Sequence, residues 1–213
     1  VTFEPRKKDH KLRYFKMDVG VFNGQGINAS GDFDNSKDLI SRIALKPMPV
    51  GKKLIISSGI SYLHGGLLQN TKYKYTTAEA GGIKKNIIDS STANLGQVSP
   101  RQYYGADVQV KLKNRKGVSE LRGEFLTGTQ TGTGTNTETP VALIAGTDGF
   151  HIRQFRGGYF YYLQHLFSEH HQLIVKYDWY DPNTKVSGKE IGAAGSNFSS
   201  ANIKYTTLGV GYI

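Results

Sequence analysis

The chain of 213 residues contains no cysteine. That excludes disulfides and thiolate metal sites but leaves the compartment open, since many exported proteins lack the residue. It also has no apolar run of the roughly 20 residues that a spanning helix needs, and its mean hydropathy is −0.42. These absences exclude a helical membrane protein. They do not exclude a membrane barrel, whose strands turn only alternate residues toward lipid. No charged-then-apolar leader is present: the chain opens Val1-Thr2-Phe3-Glu4 and stops at Ile213 inside an alternating run. A processed chain, or a segment incomplete at both ends, is expected.

What is abundant points to an all-β protein with many turns: 26 glycines, 13 tyrosines and 10 phenylalanines in a chain of low charged fraction. The formal net charge of +10 fits either a binder of nucleic acid or anionic surfaces, or a basic-lined anion path, and the positions of the charges decide between them.

Alternation of period two recurs eight times, which predicts eight strands in residues 12–22, 38–46, 54–63, 103–113, 118–127, 154–164, 172–180 and 204–213. Pro47 and Pro49 are expected to end the second, because proline cannot donate to a ladder. The connections alternate in length, long after the first, third, fifth and seventh strands and short after the others. The longest, 64–102 and 128–153, read as polar loops, and the second is rich in Gly and Thr. Short turns on one side and long loops on the other are the pattern of an up-and-down outer-membrane barrel.

Charge separates by parity. When each strand is phased by its apolar residues, one face carries Lys16, Arg42, Lys46, Lys111, Arg122, Arg156 and Lys176 with Asp18, Asp107, Glu120, Glu124 and Asp178. The opposite face is uncharged. Aromatic residues fall toward its two rims, with Tyr62, Tyr104, Phe125, Phe155 and Trp179 near the long loops and Phe15, Tyr161 and Tyr212 near the short turns, as in a membrane girdle. The simpler alternative, a soluble sandwich with the apolar face as its core, explains the parity but neither the loop lengths nor the aromatic placement.

Four stretches carry a family resemblance: D-V-G-V-F-N-G-Q-G (18–26), K-D-L-I-S-R-I-A-L-K-P (37–47), R-G-G-Y-F-Y-Y-L-Q-H-L (156–166) and K-Y-D-W-Y-D-P-N (176–183). In order and spacing the chain resembles the phosphate-selective porin O and P family of Bacteroidota. The resemblance implies a roughly 16-stranded, usually trimeric outer-membrane barrel of about twice this length, of which these eight strands are a middle portion. It also implies an inward-folding constriction loop, expected upstream of Val1.

The expected function is passive diffusion of small hydrophilic solutes through the outer membrane, with anions such as phosphate favoured by the basic side chains. Arginine is suited to bidentate contact with phosphate oxygens. Against that, the same charges could be wall residues paired across strands. No cofactor and no metal is expected: His165, His170 and His171 cluster at a short turn, but with loose spacing. An outer-membrane hydrolase is a weaker reading, since no G-x-S-x-G elbow occurs and the clustered histidines sit at the short-turn end. A barrel docked in an envelope complex with a plugged lumen is a third. The basic residues are dispersed, without the recognition helix or stacking platform of a nucleic-acid binder.

Overall fold

The structure is a computed structural model that describes residues 1–7, 9–24, 36–137, 148–168 and 170–213. It is all-β, built as one 11-stranded sheet. In chain order the strands are β1 (Thr2–Phe3), β2 (Phe15–Asn23), β3 (Lys37–Val50), β4 (Leu54–Leu68), β5 (Lys74–Ala80), β6 (Ile83–Asp89), β7 (Val98–Asn114), β8 (Gly117–Gly132), β9 (Phe150–His165), β10 (Gln172–Asp181) and β11 (Tyr205–Tyr212). The wall runs β1-β2-β3-β4-β7-β8-β9-β10-β11, each pair antiparallel. The eight expected strands are all in it. The sheet is open: among the described residues β1 and β11 pair with nothing on their outer sides.

Two expectations are corrected by the backbone. Pro47 and Pro49 do not end β3, which continues to Val50 through a register shift between Leu45 and Met48. The reason is local. β2 begins only at Phe15, opposite Leu45, and the last bond on that side is from the Lys46 N–H to Tyr14 O, so beyond Lys46 β3 has an unpaired side on which a missing N–H costs nothing. The second correction concerns residues 64–102. They hold the ends of β4 and β7 and, between them, a hairpin of β5 and β6 whose turn is Gly81-Gly82, both with positive φ (64° and 75°). Two consecutive left-handed glycines make the primed turn that a two-residue hairpin requires.

That hairpin lies off the strand order of the wall. Lys74–Thr76 of β5 pair in parallel with Phe150–Ile152 of β9, where β9 has run past the end of β10 and offers a free edge. The chain thus passes from β4 to β9 without following β7 and β8. Leu67 at the end of β4 packs on Phe150 at the start of β9, with two strands between them in the sheet order, and both are buried.

Candidate functional site

Residues directly opposite in an antiparallel pair lie on one face of the sheet, so the register assigns every wall side chain to a side. Asp18 lies opposite Arg42, Gln109 opposite Arg122, Lys111 opposite Glu120 and Asp107 opposite Glu124. Glu124 and Arg122 lie opposite Tyr159 and Tyr161, and these opposite Asp178 and Lys176. Lys16, Asp18, Arg42, Asp107, Lys111, Glu120, Arg122, Glu124, Lys176 and Asp178 therefore share a face. Lys46, beside the register shift, bonds Glu4 at 2.8 Å.

Arg156 does not join them. It is opposite Thr127 on β8 and Asp181 on β10, on the other face, with its Nε 3.6 Å from the Asp181 carboxylate. Strand β9 carries rings on both faces, and phasing it by apolar residues inverts it. The register puts Tyr159, Tyr161 and Leu163 on the charged face and Phe160, Tyr162 and Gln164 on the apolar one. Two expected girdle residues move with this correction. Phe155 is buried, edge-on to Tyr103 with centroids 5.0 Å apart, and Tyr161 lies under the Arg122 guanidinium, 5.7 Å from its centroid. Phe15, Tyr62, Tyr104, Phe125, Trp179 and Tyr212 keep the apolar side.

On the charged face five of the basic candidates meet a carboxylate. Lys16 is 3.1 Å from Asp18, Arg42 2.6 Å from Asp107, Lys111 3.4 Å from Glu120 and Lys176 3.0 Å from Asp178; Arg122 also binds Glu120. The wall is locally neutral along these strands. Two of its ion pairs cross a whole strand, made possible by glycines of β4. Arg42 of β3 reaches Asp107 of β7 over Gly59, and Asp38 of β3 reaches the buried Arg101 of β7 over Gly65. A Cβ at either glycine would collide with the spanning side chain.

Toward the long connections this face is covered. Asp38, Ser99, Arg101, Gln130 and Arg153 are buried there, and Ser99 donates to Gln69 Oε1 of the β4–β5 connection at 3.0 Å. Gln130 Nε2 donates to the Tyr180 hydroxyl at 2.8 Å, and Arg153 donates to the backbone oxygens of Thr133 (2.6 Å) and Asn136 (3.1 Å). The β5–β6 hairpin is held by the β10–β11 connection. Asn183, fully buried, donates 2.9 Å bonds to Thr77 Oγ1 and Asn202 Oδ1. Asn197 exchanges bonds with both backbone groups of Asn86, and Lys84 lies 3.1 Å from Glu190. Bonds from the Ser187 backbone N–H and from Lys84 hold the Glu190 carboxyl below its ordinary value; the Ser91 backbone N–H, with Asn94 and Lys74 adding to it, does the same for Asp89.

None of these covering residues was among the sequence candidates. The Gly81-Gly82 pair inside an alternating stretch was the available signal for the hairpin. At the opposite end His165 Nδ1 accepts from the Val118 N–H at 3.1 Å, His171 Nδ1 and the Tyr212 hydroxyl are 2.5 Å apart, and His170 is exposed.

The other face is apolar and uncovered. Its rows run across the sheet as Met17, Ile43, Ile60, Ala106, Phe125, Gly158 and Trp179, then Phe15, Leu45, Ser58, Val108, Gly123, Phe160, Tyr177 and Leu208, then Ile56, Val110, Leu121, Tyr162, Val175 and Val210. Ile60 is 59% exposed and Val210 70%, values a sandwich core does not show, and among the described residues no second sheet packs on them. Tyr62 and Tyr104, 5.1 Å apart, border the band toward the long connections. From Tyr62 to Leu54 the strand rise of ~3.4 Å per residue gives about 27 Å along β4, or about 20 Å at a ~40° tilt, near the ~25 Å of a barrel's apolar band. Compared with protein-family models, with curated proteins and with solved structures, the chain finds no match.

Proposed function

We propose that this chain is wall of an outer-membrane β-barrel porin, a passive channel for small hydrophilic solutes. One observation carries the reading: a single sheet with one broad face of exposed large apolar residues edged by Tyr62, Tyr104 and Trp179, and an opposite face of charges. Free energy favours that arrangement only where the apolar face meets lipid, since in water exposed area of this extent costs about 25 cal/mol per Å². The open edges β1 and β11 would be satisfied by barrel closure, because unpaired backbone groups are untenable in hydrocarbon. The resemblance to phosphate-selective porins, with its homotrimeric assembly, belongs to the same proposal.

Solutes would pass along the charged face by diffusion and electrostatic steering, without covalent chemistry. Because the wall charges are paired, the proposed preference for anions such as phosphate is mild and rests on the overall charge of +10, including Lys72, Lys74, Lys84 and Lys85 of the connection between β4 and β7. Planar-bilayer recording tests it: ion conductance is expected, with a reversal potential in a KCl gradient on the anion-selective side. A cation-selective reversal refutes the anion preference. A second reading has its own observation in the buried polar packing of the β5–β6 hairpin against the β10–β11 connection and the edge of β9. It makes the barrel a non-conducting subunit of an envelope complex, and a folded, inserted protein without conductance decides for it.

A further inference from the structure

The net charge of the chain is concentrated at one end of the sheet. The wall cations Lys16, Arg42, Lys111, Arg122 and Lys176 meet carboxylates, and toward the long connections so do Lys74, Lys84, Arg101 and Arg156. The short-turn end differs. The segment leading into β2 (5–14) and the turns at 51–53, 113–117 and 166–171 hold ten of the chain's 27 lysines and arginines against two acids, Asp9 and Glu169, and with them most of the net charge of +10. Arg6, Lys7 and Lys11 of that segment, Lys52 and Lys53 after β3, and Lys113, Arg115 and Lys116 around the β7–β8 turn are exposed. Among the described residues no carboxylate pairs with any of them. Two lysines even stand opposite each other: the Lys113 N–H donates to the Lys53 oxygen at 2.8 Å, one residue beyond the pair Leu54 and Leu112. Like charges so placed cost stability unless counter-charge comes from outside. Arg6 and Lys7 also line a cavity of about 550 Å³ with Arg13, Tyr14, Lys46 and Pro47, which has no acid among its described lining residues; Lys46 there is already taken by Glu4.

We propose that the short-turn end is an electrostatic docking surface for the anionic phospholipid headgroups of the leaflet beside it, held by the exposed lysines and arginines of the segment before β2 and of the turns after β3 and β7. The inference rests on the reading of the apolar face as lipid-facing and adds which lipid collects at one border. Position selects headgroups over a partner in solution. Lys53 and Lys113 adjoin Leu54 and Leu112, the last residues of the apolar band on β4 and β7, and Leu112 is 44% exposed. A lysine one residue beyond the band can lay its stem along hydrocarbon and place its ammonium among lipid phosphates. Each basic residue at a membrane surface adds to the attraction for anionic lipid, while a zwitterionic headgroup offers no net counter-charge.

The test is lipid-borne quenching at the two borders of the band. A fluorophore is attached at Leu112→Cys, beside the basic turns, or at Tyr104→Cys, at the opposite border, in the chain inserted into vesicles that mix phosphatidylglycerol with phosphatidylcholine, one or the other brominated. Phosphatidylglycerol is expected to be enriched about fivefold over phosphatidylcholine beside position 112, a difference of about 1 kcal/mol, and not enriched beside position 104. Combining Lys52→Gln, Lys53→Gln, Lys113→Gln, Arg115→Gln and Lys116→Gln should remove the enrichment. Raising the salt to about 1 M, which shortens the screening length to ~3 Å, should do so with every native cation in place, and this arm stands if the combined variant fails to fold. Equal quenching by the two lipids at position 112, or an enrichment that neither the substitutions nor salt reduces, overturns the docking surface while leaving the lipid-facing assignment intact. Capture of heparin from solution, lost with the five substitutions and without any lipid preference, overturns it in favour of a soluble polyanion. Absence of quenching by either lipid at both positions overturns the lipid-facing assignment as well.

Discussion

Replacing Gly65 by alanine adds a single methyl group in a strand whose backbone tolerates it, yet the expected cost is large. The new Cβ would occupy the position of the Asp38 carboxylate, which crosses β4 at that glycine to bind Arg101. The side chains of both partners are nearly buried, at 2% and 7% exposure. Displacing Asp38 leaves a guanidinium enclosed without its counter-charge, and breaking a buried pair in this way costs about 3–5 kcal/mol, against a few tenths for glycine to alanine on an exposed strand face. Urea titration of the protein refolded into vesicles, followed by fluorescence of the single tryptophan, Trp179, measures the difference. The control is a cycle. In an Asp38→Ala, Arg101→Met background the obstructed pair is absent, and Gly65→Ala should then cost less than about 1 kcal/mol. An equal cost in both backgrounds would refute the strand-crossing pair as the cause, and so would a negligible cost in the native one.

Three further outcomes are expected. Arg156→Ala should leave reversal potential and conductance unchanged while Arg122→Ala alters both, since only Arg122 stands on the charged face; equal effects would contradict the register. Asn183→Ala removes the donor shared by Thr77 and Asn202 and should weaken docking of the β5–β6 hairpin by about 1–3 kcal/mol, seen as faster amide exchange across Lys74–Asp89 with the wall strands unaffected. The hairpin should also loosen in acid. Glu190 and Asp89 have carboxyls held below their ordinary values, so their contribution is complete above the unfolded carboxylate range and is lost as pH falls through the lowered values. Protection at the hairpin, taken relative to the intrinsic exchange rate at each pH, should therefore be constant from neutral pH to about 5 and fall below about 4, and Glu190→Gln should flatten part of that fall.

Much of the wall was legible from alternation alone. Strands such as β4 and β7 have a mainly apolar face opposed to a polar one, and a one-residue error in β7 would have put its charges on the wrong side. Strand β9 was not legible in the same way. In R-G-G-Y-F-Y-Y-L-Q both parities are aromatic, and its one charge, Arg156, sits at the rim where Asp181 meets it. Only the pairing with Glu124 and Asp178 fixes its phase. The crossing ion pairs escaped for a related reason: Gly59 and Gly65 are silent in a pattern, and their function is visible only when β3 and β7 are known to flank β4. The β3 prolines misled because a residue rule was applied without knowing that the neighbouring strand had ended. The β5–β6 hairpin was read as loop because its polar threonines, lysines and asparagines pair with other connections and not with a core.

The division of the sheet into a lipid face and a water face is tested most directly by single-cysteine substitution, for which a chain without native cysteine is already suited. Each position from 106 to 111 in β7 and from 158 to 163 in β9 would be changed in turn, in protein inserted into vesicles, and scored for reaction with a membrane-impermeant maleimide and for quenching of an attached fluorophore by lipid-borne nitroxide. Ala106→Cys, Val108→Cys and Val110→Cys should be lipid-quenched and Asp107→Cys, Gln109→Cys and Lys111→Cys water-reactive. In β9, Phe160→Cys and Tyr162→Cys should fall with the lipid set and Tyr159→Cys and Tyr161→Cys with the aqueous one. Loss of alternation, or aqueous reactivity at Ala106, Val108 and Val110, would contradict the membrane-wall assignment.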